Sequence, residues 1–268
     1  NYADLDRYNT IVIPSGSSLS ETNINTLSNW VENGGTLVAH NRSTRSLASD
    51  KGIGNVKLIQ HTFDNSQDFN IDLQREIYSL NDEIDYEKTL SNKVDTDISY
   101  PWESEGNTLS KEDLESRDKW QSLFMPSGSI VSARTDQKHW LTFGSTKLIP
   151  VLYGDSPVLM TDRNAQAAVR IGEIIDSKDN NDVNKINWST IPPGKDINVR
   201  MSGLVWPEAA QRIANSAYLT RERFGEGQII LFSGEPNFRG SSLGTNRLWL
   251  NAIVYGAGLG TSQKVSLD

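Results

Sequence analysis

The chain has 268 residues, enough for one large domain or two small ones, with 26 Lys+Arg against 34 Asp+Glu and a formal net charge of -8. That balance, with no basic stripe anywhere along the sequence, excludes a general affinity for nucleic-acid phosphates. There is no cysteine, which excludes disulfides, thiolate metal sites and a cysteine nucleophile. No apolar run approaches the roughly 20 residues that span a bilayer. Opening on Asn1 with neither Met nor a signal-peptide core, the sequence is expected to be a piece of a longer protein.

Thr10 to Pro14 reads as a strand buried on both faces, closed by the turn Ser15-Gly16-Ser17. Ser20 can cap a helix whose apolar positions Ile24, Leu27, Trp30 and Val31 share one face, and Asn33-Gly34-Gly35 stops it. Thr36 to His40 is a second strand, so the start of the chain predicts a βαβ unit with a parallel, right-handed crossover. A short helix over Arg42 to Asp50 and a strand at Val56 to Ile59 follow. From about His61 to Phe124 the composition turns polar, and the segment reads as an insertion at about 60–126. It holds a helix around Leu80 to Val94 and anchors on the core at Tyr100, Trp102 and Trp120; a lid over a site is its functional alternative.

Short strands are expected at Ser129 to Arg134, His139 to Gly144, Val151 to Tyr153 and Pro157 to Met160. Pro207 opens a helix that runs through Ala214. Ala217 to Phe224 and Gln228 to Phe232, joined by Gly225-Glu226-Gly227, read as a β-hairpin. A helix from Asn246 to Tyr255 closes the chain. The sum is a single α/β domain over 1–268: an open, mostly parallel sheet with helices on both faces, an antiparallel C-terminal edge and the polar insertion.

In such a sheet, ligands bind beyond the carboxyl ends of the strands. Two places there could carry chemistry. The first is the turn after the second strand, His40-Asn41-Arg42-Ser43, where a sharp strand-to-helix turn can present a nucleophile. No Cys stands there, Ser43 lies too far into the turn, and His40 has nothing to activate. His40 and Asn41 are therefore a degenerate nucleophile elbow, expected to bond the loop after Pro14 and to cap the next helix. The second is the stretch from Gly234 to Gly240 with the helix start behind it. Asn237, Arg239, Asn246 and Arg247 could hold a carboxylate or other small anion. The plainer alternative pairs Arg239 with Glu235 or a neighbouring acid and holds a tight turn. His40, His61 and His139 are scattered, and Asp179 to Asp182 lacks the glycine and the final Glu of a calcium loop, so no metal or other cofactor is expected.

Tyr8 to Gly16 and Trp30 to Ala39 resemble the opening strands of class I glutamine-amidotransferase-like domains, a flavodoxin-like architecture. Pro126 to Gly144, Ala217 to Phe232, and Pro236 to Gly240 with Gly244 to Leu248 resemble, in that order, the C-terminal region of large bacterial zinc carboxypeptidases of the carboxypeptidase A type. Residues 60 to 125 are unmatched. The resemblance implies a non-catalytic accessory domain, binding or structural, in an exported periplasmic or secreted peptidase. Its partner would be an upstream peptidase domain of the same polypeptide, which would hold the zinc; no nucleic acid or membrane span enters. Two alternatives stay open. One is an independent hydrolase using His40 and Ser43. The other is a carbohydrate- or peptidoglycan-binding module that stacks sugars on Trp102, Trp120 and Trp188.

Overall fold

The computed structural model describes residues 5–79, 110–177, 185–186, 188–192 and 194–261. The chain opens with β1 (Thr10–Ile13), α1 (Glu21–Glu32) and β2 (Thr36–His40). Ser20 caps α1, its hydroxyl accepting the Asn23 N–H at 3.2 Å, which satisfies one of the free donors of the first turn. Ile24, Leu27, Trp30 and Val31 are buried as their spacing requires. Gly34 ends the helix at φ 112, a conformation that side-chain-bearing residues resist. Next come α2 (Arg42–Leu47) and β3 (Lys57–Leu58).

The segment read as a solvated insertion supplies part of the core instead. It contains α3 (Ser66–Ser79) and α4 (Lys111–Ser122), and Phe69, Leu73 and Leu114 sit in the larger hydrophobic cluster. Trp120 is not the anchor expected of it, being 58% exposed. The buried positions of α4 are Leu114, Asp118 and Gln121, a stripe that leaves Trp120 on another face. The helix expected at 80–94, Tyr100 and Trp102 lie outside the described residues.

Beyond α4 come β4 (Ser129–Thr135), β5 (Leu148–Tyr153), β6 (Leu159–Met160), β7 (Ala165–Ile171), β8 (Glu173–Asp176), β9 (Lys185–Ile186) and β10 (Ser189–Thr190). They are followed by β11 (Lys195–Asn198), β12 (Arg200–Ser202), α5 (Pro207–Ile213), β13 (Ala217–Phe224), β14 (Gly227–Phe232) and α6 (Leu243–Gly256). The strand expected at His139 to Gly144 is a single 3-10 turn, Trp140–Thr142. Side chains override the strand propensity there. His139 Nδ1 accepts the Leu141 N–H at 3.1 Å, and the Thr142 hydroxyl donates to the carbonyls of Asp136 and His139.

Among the described residues a ten-stranded sheet runs β1-β2-β14-β13-β7-β4-β12, with β3, β5 and β6 attached to its sides. Parallel pairing is confined to β1, β2 and β14; every other strand pair is antiparallel, so the α/β sheet is mixed rather than mostly parallel. The β13–β14 hairpin is not an edge. It lies at the centre: β14 is buried along its whole length and β13 from Ala217 to Thr220 and at Glu222, so both strands take cover on each face. Alternation in β2 divides the core: Leu37 and Ala39 pack with α1, Val38 with Leu248 and Ala252 of α6 on the opposite side.

Candidate functional site

Parallel pairing brings the carboxyl ends of β2 and β14 side by side, with His40 opposite Phe232. A single residue, Asn41, turns the chain from β2 into α2 at φ 53, ψ -120. For a residue with a side chain, such a backbone costs about 1–3 kcal/mol and persists only where its surroundings impose it. Here the Asn41 N–H donates to the Phe232 carbonyl at 3.0 Å, and Asn41 Nδ2 donates to Glu235 Oε1 at 3.1 Å. The turn is therefore clamped from the neighbouring strand.

Four of the eight buried side-chain polar atoms without a partner among the described residues belong to this corner. They are His40 Nδ1, Asn41 Oδ1, Tyr218 OH and Ser233 Oγ. Buried polar atoms are almost always bonded, so their concentration here marks a site rather than packing. His40, 7% exposed, packs edge-on against Trp249 with ring centroids 5.2 Å apart. Burial holds its pKa below the ordinary 6.5, opposed by the negative charge of Glu235, so the ring is neutral at pH 7. Tyr218, from β13, lies across Phe232 at 6.3 Å, and burial pushes its phenol well above the usual value. Gly234 allows this approach, because a Cβ there would fall 3.0 Å from the Tyr218 ring and 3.1 Å from the Leu152 carbonyl.

The structure corrects both expectations for the elbow. Asn41 does not cap α2 with its side chain; the left-handed backbone directs that side chain to Glu235. Nor, among the described residues, does His40 or Asn41 bond the loop after Pro14. Ser43 ties the elbow to β1, donating to the carbonyls of Ile13 at 3.1 Å and His40 at 2.8 Å. Its hydroxyl is thus engaged with backbone, and a His40–Ser43 pair is not assembled. The arrangement offers the acceptors Glu235, Asn41 Oδ1 and an imidazole nitrogen, beside the hydroxyls of Tyr218 and Ser233, which can donate or accept, with no nucleophile at the elbow.

Asn237, Arg239, Asn246 and Arg247 are not brought together. Asn237 is exposed, and Arg239, at φ 52, lays its guanidinium over the Phe238 ring at 5.1 Å. The expected Arg239–Glu235 ion pair is absent among the described residues, since Glu235 turns to Asn41. The loop is held instead by the Thr245 hydroxyl, which donates to the Pro236 carbonyl at 2.5 Å, and by Asn246 Nδ2 on the Gly240 carbonyl at 3.4 Å. Arg247 points elsewhere, toward Gly144. Of the tryptophans weighed as sugar platforms, Trp188 is buried, Trp120 is exposed and Trp102 lies outside the described residues, as does the Asp179 to Asp182 turn. No group of three or more metal-ligating side chains occurs among the described residues, and no described helix is long and apolar enough to cross a membrane.

Glu235, Tyr218, Ser233 and Trp249 are site residues that sequence reasoning missed. The Gly234-Glu235 pair just beyond the apolar run Ile229 to Phe232 is the one signal that could have found Glu235. Both Asn41→Gly and Asn41→Ala lose the bond to Glu235, but glycine adopts this backbone without strain, so Asn41→Gly is expected to be more stable than Asn41→Ala by about 1 kcal/mol. Asn41→Ala, which keeps the strain as well as losing the clamp, is expected to fall below the wild type. Thermal denaturation of the three proteins checks that order.

No family model matches the sequence, and no curated protein matches it. Among solved structures the chain is similar to the cytoplasmic protein STM3548 from Salmonella typhimurium, at 12% identity and a TM-score of 0.37, over 94% of this chain and 72% of that one. It is similar also to the cytoplasmic protein STM1381 from Salmonella typhimurium LT2, at 12% identity and a TM-score of 0.38, over 94% and 73%.

Proposed function

We propose that this chain is a non-catalytic binding domain of amidotransferase-like, flavodoxin-type architecture, in which the elbow that would present a nucleophile presents Asn41 to a ligand. The observation that carries the reading is the strained Asn41 backbone, φ 53 and ψ -120, held by Glu235. Strain kept at a strand-to-helix turn points to use, and the residue kept there cannot attack a carbonyl. Glu235, Asn41 Oδ1 and neutral His40 favour a ligand that donates hydrogen bonds, such as an amine or a polyol. The resemblance of the C-terminal segments supports a place downstream of an exported zinc carboxypeptidase, to which this domain would be a passive partner, and no zinc or other cofactor would belong to this chain.

Ammonia release from glutamine and hydrolysis of p-nitrophenyl acetate test the claim. Both are expected at the buffer rate for the wild-type chain and for His40→Ala alike. Turnover by the wild type that His40→Ala abolishes would establish a hydrolase and overturn the reading.

A further inference from the structure

The closing helix, α6, turns one face inward. Leu248 and Ala252 lie in the core, Asn251 Nδ2 donates to the carbonyls of Leu141 and Phe143, and Trp249 stands against His40. The opposite face of such a helix is ordinarily polar. Here it is apolar. Leu243 is 81% exposed, Leu250 56% and Val254 65%, and their spacing puts them directly away from the buried stripe. The helix has no acidic residue and a single basic one, Arg247, on that same outer face.

Phe143 and Tyr255, both exposed and meeting edge-on at 6.4 Å, widen the patch along one side, and Leu259 extends it past the end of the helix. These six apolar residues present on the order of 600 Å² of surface, against the roughly 800 Å² that each partner gives to a standard protein interface. A contiguous patch of that size on the outer side of a surface helix marks an interaction site.

The spacing points to the occupant. Leu243, Arg247, Leu250 and Val254 follow one another at four, three and four residues, the repeat by which two helices pack along a seam. That series reads the same in both directions. A two-fold axis across the middle of α6 therefore sets it, antiparallel, against its own image. We propose that the chain forms a two-fold dimer through α6, with Leu243 of one protomer facing Val254 of its partner and Arg247 facing Leu250. The one charge on the face then meets a leucine rather than itself. Its stem covers apolar surface while the guanidinium reaches water at the rim. Trp249 leaves α6 on another side, so the dimer does not depend on what the Asn41 elbow holds.

Sedimentation equilibrium over a dilution series from about 100 μM tests the assignment. At the top of the series the wild type is expected at about twice its chain mass of 29.8 kDa, dissociating on dilution. Leu250→Lys and Leu250→Glu are both expected to weaken the dimer. Each contact occurs twice about the axis, and the new side chain faces Arg247 of the partner. Leu250→Glu is therefore expected to dimerise about tenfold more tightly than Leu250→Lys at low salt, the two converging as salt rises. Residue 250 is exposed and the exchange is among good helix formers. Both variants are thus expected to melt with the wild type at concentrations where all are monomeric, which keeps the comparison free of folding effects. A wild type that is monomeric throughout, a Leu250→Lys chain that dimerises as tightly as the wild type, or equal affinities for the two variants at low salt would each overturn the proposal.

Discussion

Glu76→Gln is expected to destabilise the protein by about 3–5 kcal/mol, the usual result of removing one partner from a buried ion pair. Arg170 of β7 is 3% exposed. It reaches Glu76 of α3 through Nε at 2.7 and 2.8 Å and through Nη2 at 2.6 Å. Its remaining donors go to the Asn215 carbonyl at 2.9 Å and the Thr161 hydroxyl at 2.8 Å. A second guanidinium, Arg134 of β4, lies close by. Burial lowers its pKa to about 10, Glu76 opposing that shift and Arg170 adding to it. Glu76 is thus the counter-ion of two arginines, and without its charge they repel each other in a poorly solvated interior. Urea denaturation measures the loss, read as a lower midpoint at an unchanged slope. Arg75→Ala on the same helix removes a pair to Asp72 whose arginine is 72% exposed, and it should cost under about 0.5 kcal/mol. Similar losses in both variants would mean that Glu76 is screened by water and that the buried pair does not hold α3 to the sheet.

The second large effect is acid sensitivity. Burial holds the pKa of both His40 and His139 below 6.5. His139 Nδ1 must stay unprotonated to accept the Leu141 N–H, which leaves Nε2–H to face Gln166 Oε1 at 3.3 Å. The unfolded chain takes up a proton at each ring near pH 6.5 while the folded chain refuses it. Their contribution to stability is therefore complete above pH 6.5 and is lost as pH falls through the folded values. The slope approaches about 1.4 kcal/mol per pH unit for each ring. Glu222, whose carboxyl burial raises, acts in the opposite sense: its contribution is present below about 4.5 and is lost as pH rises through its folded value. The comparison of wild type with His139→Asn isolates one imidazole, since the Asn Oδ1 can still accept from Leu141. Between pH 6.5 and 5 the wild type is expected to lose stability faster than the variant, by up to that slope. Parallel curves from thermal denaturation would show that His139 does not titrate differently on folding.

The βαβ unit is legible in the sequence because each of its signals is local: a capping Ser20, four apolar residues on one face of a helix, and a Gly pair that stops it. The hairpin is legible for the same reason, through Gly225-Glu226-Gly227. Its position is not. Whether these two strands lie at an edge or the centre depends on partners far along the chain, here β2 on one side and β7 on the other. The site divides the same way. His40 and Asn41 stand out because a strand runs straight into a helix, whereas Glu235 becomes their partner only through the parallel register of β2 with β14. The misread strand at His139 has a further cause, side-chain bonds to nearby backbone that no hydrophobic pattern reveals.

The central place of β14 also governs how the chain must assemble. Gln228 of β14 meets Thr36 of β2 across a separation of 192 residues, so joining the first strands to the rest closes one of the longest loops available to this polypeptide. Closure of that kind is slow compared with the formation of helices and adjacent hairpins. On the ribosome, β1 and β2 emerge before β13 and β14 and wait with one edge of β2 unpaired until the hairpin has been made. During that interval the edge is a template for another nascent copy. The sheet is completed only after β14 has left the exit tunnel, so strands made far earlier are locked in place late.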